Sequence, residues 1–195
     1  MRKTTRASLC AVIIGLSAAV AQAETLMFEN LAPPGSVTNI NPAFPYTEAG
    51  FTISVTNALA AVVDSASTFD MFGNTTDFFG FAGINTPTLT YIGGSFDLAS
   101  LLLGPTTVGG ALVNMSVTGN LAAGGTLNAS FPGLTTATVA NLNWQGLQSV
   151  SFAATSDAGL DNIVVNPSVS VPEPQSLMLL ALGLLGVRMA GKRRG

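Results

Sequence analysis

The sequence predicts an all-β protein whose central domain is a β-sandwich, and three observations support this prediction. Apolar residues alternate with Thr, Ser and Asn in segments such as 51–56 and 113–118, which is the period of a strand with one buried face. Turns rich in Gly, Asn and Pro separate these segments at regular spacing. The sequence between the terminal segments shows no helical stripe of period 3.6.

Taken in order, the central part of the chain predicts a series of short strands. Residues 58–63 fit either a strand or a helical turn, and residues 70–83, where phenylalanines stand among glycines, predict a packed loop. Gly119 and Asn120 predict a turn. Strands are expected at residues 25–31, 51–56, 88–92, 95–103, 113–118, 126–131, 136–142, 147–154 and 160–165.

The N-terminus has the order of a secretory signal peptide. Basic residues come first, an apolar run at 9–20 predicts a signal helix, and Ala21-Gln22-Ala23 predicts cleavage after Ala23. The only cysteine, Cys10, lies within the apolar run. The mature chain would therefore contain neither a disulfide nor a thiol nucleophile.

The distribution of charge excludes several classes of partner. All seven Lys and Arg residues lie near the two termini, the chain has no histidine, and residues 7–187 carry acidic side chains only. Such a surface cannot neutralise phosphates, so nucleic acid is excluded as a partner. Anionic lipids and anionic polysaccharides lack a cationic partner here as well.

The same composition restricts catalysis. Without histidine, mature cysteine or a lysine in the exported part, the Ser-His-Asp, Cys-His and Schiff-base arrangements cannot form. A glycan hydrolase that uses paired carboxylates stays open as an alternative, because glycoside hydrolysis needs only two suitably spaced acids. We expect a non-enzymatic protein.

The C-terminal segment has three parts in fixed order. A stiff turn of alternating prolines is followed by a leucine-rich run, which predicts a short transmembrane helix at about residues 175–191. Basic residues beyond it would stay cytoplasmic, so the preceding domain would face outward. The turn is Val171, Pro172, Glu173 and Pro174, and the flanking basic residues are Arg188, Lys192, Arg193 and Arg194.

This three-part tail resembles the PEP-CTERM sorting signal of secreted proteins in Gram-negative bacteria that make exopolysaccharide. The resemblance implies that Pro172, Glu173 and Pro174 are recognised by an exosortase, a membrane protease-transpeptidase. It also implies export through the inner membrane to the cell surface or the extracellular matrix, with membrane anchoring before processing. The alternative is a plain surface protein that stays anchored in the inner membrane by an uncleaved tail.

Residues 94–98 and 160–163 resemble the passenger domains common on such proteins, which are similar to jelly-roll carbohydrate-binding modules. The resemblance implies a jelly-roll-like sandwich, sometimes with a structural calcium ion between the first and last strands. Glu29 and Asp161 would be its ligands, with Asp157 as a further candidate. Trp144 is the candidate glycan contact, since Asn143 and Gln145 flank it; Tyr46 and Tyr91 are the other aromatic rings considered for a sugar platform.

The predicted organisation is a signal peptide at 1–23, a β-sandwich domain at 24–166, a linker at 167–170 and a sorting signal at 171–195. We expect a secreted surface or exopolysaccharide-matrix protein with a structural or adhesive role, for which glycan binding by the sandwich is a further expectation.

Overall fold

A computed structural model describes residues 23–167, and these residues form strands joined by turns and loops. Within this range no helix is long and apolar enough to cross a membrane. The predicted signal and transmembrane helices lie outside it. The strands are β1 (Glu24–Leu26), β2 (Val37–Ile40), β3 (Tyr46–Glu48), β4 (Phe51–Ser54), β5 (Ala60–Val63), β6 (Phe78–Phe81), β7 (Thr88–Tyr91), β8 (Phe96–Pro105), β9 (Val113–Leu121), β10 (Thr126–Leu134), β11 (Thr138–Ala154) and β12 (Ala158–Pro167).

Every strand pairing is antiparallel, and all twelve strands are hydrogen-bonded in one continuous sheet. This sheet consists of two parts, called the first and the second sheet, which are joined by the long strand β11. Its first half pairs with β8, which continues through β12, β6 and β5 to β2. Its second half lies between β9 and β7, so the second sheet has the order β10-β9-β11-β7-β4-β3. Strand β1 adds to the end of β12. Two sheets that share a bent strand can fold face to face.

One apolar core lies between the two sheets. Phe79, Leu98 and Leu160 of the first sheet belong to the same buried cluster as Ile53 and Phe152 of the second. The alternation of apolar and polar residues places one set of side chains in this cluster and the other set toward solvent. The predicted all-β sandwich is therefore confirmed for the described residues.

A second, smaller cluster lies on the outer face of the first sheet. Val63 and Phe78 point away from the main core, and Met71, from the loop between β5 and β6, covers them. Residues 64–77 thus form a lid over part of this face. The lid also covers the side chain of Asp161 on β12, which is fully buried.

Several predicted elements need correction. Residues 70–83 are not a packed loop throughout, because they contain β6; residues 58–63 resolve as the strand β5. The two strands predicted at residues 136–142 and 147–154 are, from Thr138 onward, one strand, β11, which bulges interrupt. Gly119 and Asn120 do not form a turn, since β9 continues to Leu121. Strands β2 and β3 were not predicted.

Candidate functional site

A double bulge in β11 presents Trp144 at the surface. The register between β11 and β8 shifts between Asn141 and Trp144 and again between Trp144 and Leu147. The backbone at Asn143 and Gly146 has positive φ, at 51° and 65°, a conformation that Asn and Gly tolerate better than other residues. Bulges of this kind re-aim side chains, and here they direct the residues on either side of the indole outward.

Trp144 forms part of the wall of a small pocket of about 90 Å³. The other lining residues belong to β8, β11 and β12, and most of them are polar or small. On β8, Asp97 lies opposite Asn166 of β12, and its Oδ1 accepts a hydrogen bond from the Gly146 N–H at 2.8 Å. This bond ties the bulge to β8. The remaining lining residues are Leu98, Ala99, Asn143 and Gln145.

The indole ring is seated on β9. Gly119 lies so close to it that a Cβ atom at this position would be 2.8 Å from the indole Cε3 atom. Trp144 also packs against the main core and is only partly exposed. One part of the ring is therefore fixed by the sandwich, and another part stays exposed at the pocket.

The pocket combines the groups that commonly recognise sugars. An aromatic ring offers an apolar surface, and amide and carboxylate groups offer donors and acceptors for hydroxyl groups. Its volume suits one edge of a single sugar unit, because pockets that enclose whole ligands are several times larger. Sequence reasoning found Trp144 with its two flanking amides. It missed Asp97, Asn166 and Gly119, which reach the site through strand pairing.

The two tyrosines considered with Trp144 do not join this pocket. Tyr46 is buried against Phe28, with ring centroids 4.8 Å apart, and its hydroxyl donates to Glu48. Burial and the neighbouring Glu48 carboxylate raise the pKa of Tyr46. Tyr91 packs on Phe51 with a centroid distance of 4.7 Å. Both tyrosines therefore pack as aromatic residues of the domain, and they do not form a platform with Trp144.

Asp161, the predicted calcium ligand on the last strand, is held by neutral donors. Its Oδ2 accepts bonds from Thr76 Oγ1 at 2.6 Å and Asn74 Nδ2 at 3.0 Å, and its Oδ1 accepts one from the Asn162 N–H at 2.6 Å. Burial raises the pKa of Asp161, and these hydrogen bonds oppose the shift. The carboxyl group fixes the lid of residues 64–77 to β12.

Glu29 lies within electrostatic reach of Asp161 and of Asp77. Burial is the main cause that raises the pKa of Glu29, and repulsion from Asp77, Asp161 and Asp64 adds to it. Asp77 itself accepts bonds from the Asn30 and Ser65 N–H groups. Within residues 23–167, no group of three or more candidate ligand side chains is placed to hold a metal ion. Calcium binding by Glu29 and Asp161 stays a prediction.

A second concave surface lies on the outer face of β2, β5 and β6. This groove has a volume of about 260 Å³ and is lined mainly by apolar side chains, among which Leu59, Phe69 and Val108 are half exposed. Asp157, the further calcium candidate, lies at this groove, and its Oδ1 accepts a bond from the Gly83 N–H at 3.3 Å. The apolar lining of this groove suits polar glycans less well than the lining of the Trp144 pocket does.

Apart from Ala23, which is the first described residue and is exposed, the remaining predicted sites lie outside the described residues. These are the cleavage residue Ala21, the motif at residues 171–174 and the basic residues from Arg188 onward. For the tail, a sequence comparison supplies the finding. Residues 170–194 match the family model of the PEP-CTERM protein-sorting motif. The chain therefore carries this sorting motif, which implies exosortase-dependent export with surface or membrane association.

Other comparisons are distant. A search of the curated proteins gave no match. The chain is similar in structure to the tandem domain CBM22-1-CBM22-2 of Paenibacillus barcinonensis Xyn10C, with 12% identity, a TM-score of 0.38 and coverage of 82% of this chain and 49% of that one. This chain thus spans about half of the tandem domain.

Two further solved structures were found. The CBM22-1 xylan-binding domain of the same protein aligns at 12% identity with a TM-score of 0.34, covering 77% of this chain and 97% of that one. The enzymatically active domain of Bacteriophage CBA120 tailspike protein 4 aligns at 10% identity with a TM-score of 0.30, covering 60% of this chain and 19% of that one. At these TM-scores the alignments assign neither a ligand nor an activity.

Proposed function

We propose that this protein is an exosortase substrate that is exported to the surface or exopolysaccharide matrix of a Gram-negative bacterium, where it has a non-enzymatic, structural or adhesive role. The observation that carries the proposal is the sorting motif at residues 170–194. The β-sandwich at residues 23–167 would be the part that remains outside the cell. A processed form would lose the apolar run and the basic end.

Mass spectrometry of the protein from cell envelope and culture supernatant tests this sorting route. We expect a mature form that starts at Glu24 and ends near Pro172 to Pro174. Glu173→Ala should leave the tail uncut, whereas Gln175→Ala serves as the neighbouring control and should be processed normally. Peptides that extend through Arg188 and occur only in membrane fractions would identify the plain membrane anchor instead.

We further propose that the pocket around Trp144 contacts a neutral glycan. Residues 23–167 carry acidic side chains and no Lys, Arg or His, so an anionic polymer would be repelled. A neutral sugar can use the indole surface together with the amides of Asn143, Gln145 and Asn166. This pocket supports an adhesive role because it lies on an open sheet surface of the domain.

A glycan array followed by affinity electrophoresis in neutral polysaccharides tests the pocket. Trp144→Ala should weaken binding about tenfold, the scale of one aromatic contact, and Trp144→Phe should keep part of the affinity. Ile92→Ala is the control, since this side chain is 90% exposed and lies outside the pocket. Equal signals for the wild type and Trp144→Ala would remove this glycan site.

The positions of the perturbed carboxyl groups support the non-enzymatic proposal. The Asp161 carboxyl group is fully buried beneath the lid and bonded by neutral donors, so a glycan chain could not reach it without opening the lid. An assay for reducing sugars released from exopolysaccharide distinguishes a non-enzymatic protein from a glycan hydrolase. Release of reducing ends from exopolysaccharide that is abolished by Asp161→Asn or Glu29→Gln would favour the hydrolase.

A further inference from the structure

Strand β10 is a long sheet edge with an open side. Within residues 23–167 it pairs with β9 alone, in regular register from Thr126 to Phe131. None of the nine residues of β10 is buried. On β9, in contrast, the inner side chains are almost completely buried; these are Val113, Met115 and Val117. The buried core therefore ends at β10, and the backbone groups on the open side of β10 can pair with another strand.

This edge lacks the usual protection against pairing. Natural sheets place Lys, Pro, bulges or inward charges on exposed edges. Residues 126–131 contain no charge and no proline, and the bulge at Pro132-Gly133 comes only after them. The inner side chains Leu127 and Phe131 pack against the core but stay partly exposed. Another strand would complete their burial.

The charge distribution indicates which strand could pair with β10. Residues 98–156 contain no charged side chain, although the rest of the described domain is acidic without any basic residue. The acidic side chains therefore come from other strands and loops. Two copies of this domain repel each other over most of their surface, but not where β9, β10 and β11 meet. A second copy can approach along β10 without bringing carboxylates together.

We propose that two copies of the chain pair antiparallel through β10 and form a twofold-symmetric dimer. Paired residues share one face of a sheet, so inner residues of one copy must lie opposite inner residues of the other. When the two copies pair over residues 127–131, Ala129 lies on the twofold axis, opposite Ala129 of the second copy. Leu127 then lies opposite Phe131 of the second copy. Asn128 then lies opposite Ser130 on the solvent face. The second sheets of both copies become one continuous sheet.

Charge substitutions on the solvent face test the pairing. The full chain carrying Asn128→Glu and Ser130→Glu places carboxylates opposite carboxylates at both pairs, and Asn128→Lys with Ser130→Lys does the same with ammonium groups. Sedimentation over the micromolar to millimolar range in detergent should show a wild-type dimer and, for each variant alone, dimerisation weakened about tenfold or more. Mixing the two variants should restore a dimer that contains one of each.

The mixture is the matched control, because both variants lose the Asn128 contact with Thr118. Restoration of the mixed dimer cannot follow from damage to the fold. A wild-type chain that stays monomeric throughout would overturn the proposal. A dimer that persists equally in both variants would also overturn it, since another surface would then hold the copies together.

A cysteine cross-link tests the register. Ala129→Cys in a Cys10→Ala background puts two thiols opposite each other at the axis, within reach of a disulfide. Oxidation should give a covalent dimer for Ala129→Cys and little for the control Ala122→Cys, which lies in the exposed turn before β10. Equal cross-linking at both positions would contradict the proposed register.

Discussion

The first and second halves of this domain are held together in different ways. Strands β1 to β7 contain only three or four residues each, and the connections between them range from two residues, between β3 and β4, to the fourteen residues of the lid between β5 and β6. Strands β8 to β12 contain nine to seventeen residues, and residues 98–156 carry no charge. The second half is stabilised mainly by strand pairing and apolar packing. The first half needs additional polar contacts to fix its loops.

Buried and half-buried carboxylates supply these contacts. Asp77 accepts hydrogen bonds from the Asn30 N–H at 3.1 Å and the Ser65 N–H at 2.9 Å, and thereby joins two loops. Asp64 binds the Gly35 N–H at 2.7 Å. Acidic side chains in a domain without basic residues thus serve as acceptors for backbone donors, not as members of ion pairs. The comparison predicts that removing them damages the first half selectively.

The largest effect is expected for Asp161→Ala. This substitution removes the buried carboxylate that accepts hydrogen bonds from the partly buried side chains of Thr76 and Asn74, and a donor left unpaired away from water costs about 1–3 kcal/mol. We expect the free energy of unfolding to fall by about 3 kcal/mol in denaturant titrations, with early loss of amide protection in residues 64–77. Asp70→Ala, at a partly exposed site in the same lid, should change stability by less than about 0.5 kcal/mol. Similar losses for both would refute a specific role of Asp161.

Calcium binding would be the next largest effect. An ion held by Glu29 and Asp161 at a hundred times its dissociation constant would stabilise the folded state by about 2.7 kcal/mol. We therefore predict that millimolar calcium raises the melting temperature of the wild type and that Glu29→Gln abolishes the rise. Asp70→Asn and magnesium are the controls. An unchanged melting temperature would end the calcium hypothesis.

The difference between the halves also explains how far the sequence could be interpreted. The alternation of Val113, Met115 and Val117 predicts β9 because one face is buried and the other is not. Strand β6 escapes the same reasoning: Phe79 enters the main core and Phe78 the second cluster, so both faces are apolar and the alternation disappears. In β2 the apolar residues Val37 and Ile40 are three positions apart, so the sequence does not alternate, and β3 has only three residues.

The candidate site was only partly predictable, because some of its residues are neighbours along the chain and others meet through strand pairing. Trp144 stands out in the sequence because amides flank it, and its neighbours along the chain are known without a structure. Asp97 and Asn166 meet it through pairings of β8 with β11 and β12, each shifted by bulges. A shift of one residue reverses which side chains share a face. The pocket therefore depends on a register that the sequence does not specify.

A smaller effect tests the bulge that carries Trp144. Asn143 has a φ of 51°, which β-branched residues adopt only with strain. Asn143→Val should cost about 1–2 kcal/mol of unfolding free energy and weaken any glycan binding, whereas Asn143→Gly should remain close to the wild type in stability. Thermal denaturation of both variants checks this. If valine is tolerated as well as glycine, the bulge does not constrain the site.

The smallest effect concerns pH and again involves carboxyl groups near the loops of the first half. Burial raises the pKa of Asp161, and burial with repulsion from neighbouring carboxylates raises that of Glu29. The folded state then binds protons more tightly than the unfolded chain, whose carboxyl pKa is about 4. Stability from these groups is fully present below that value and is lost as pH rises through the raised pKa. We expect the free energy of unfolding to increase as pH is lowered from 7 toward about 4.

Replacing both carboxyl groups tests this assignment. The chain with Glu29→Gln and Asp161→Asn should lose the increase, while Asp97→Asn, at the Trp144 pocket in the second half, should retain it. Each variant is compared with itself across pH, so a uniform loss of stability does not affect the slope. If the wild type instead becomes steadily less stable on acidification, the ionised carboxylates stabilise the first half more as hydrogen-bond acceptors than their burial and mutual repulsion destabilise it.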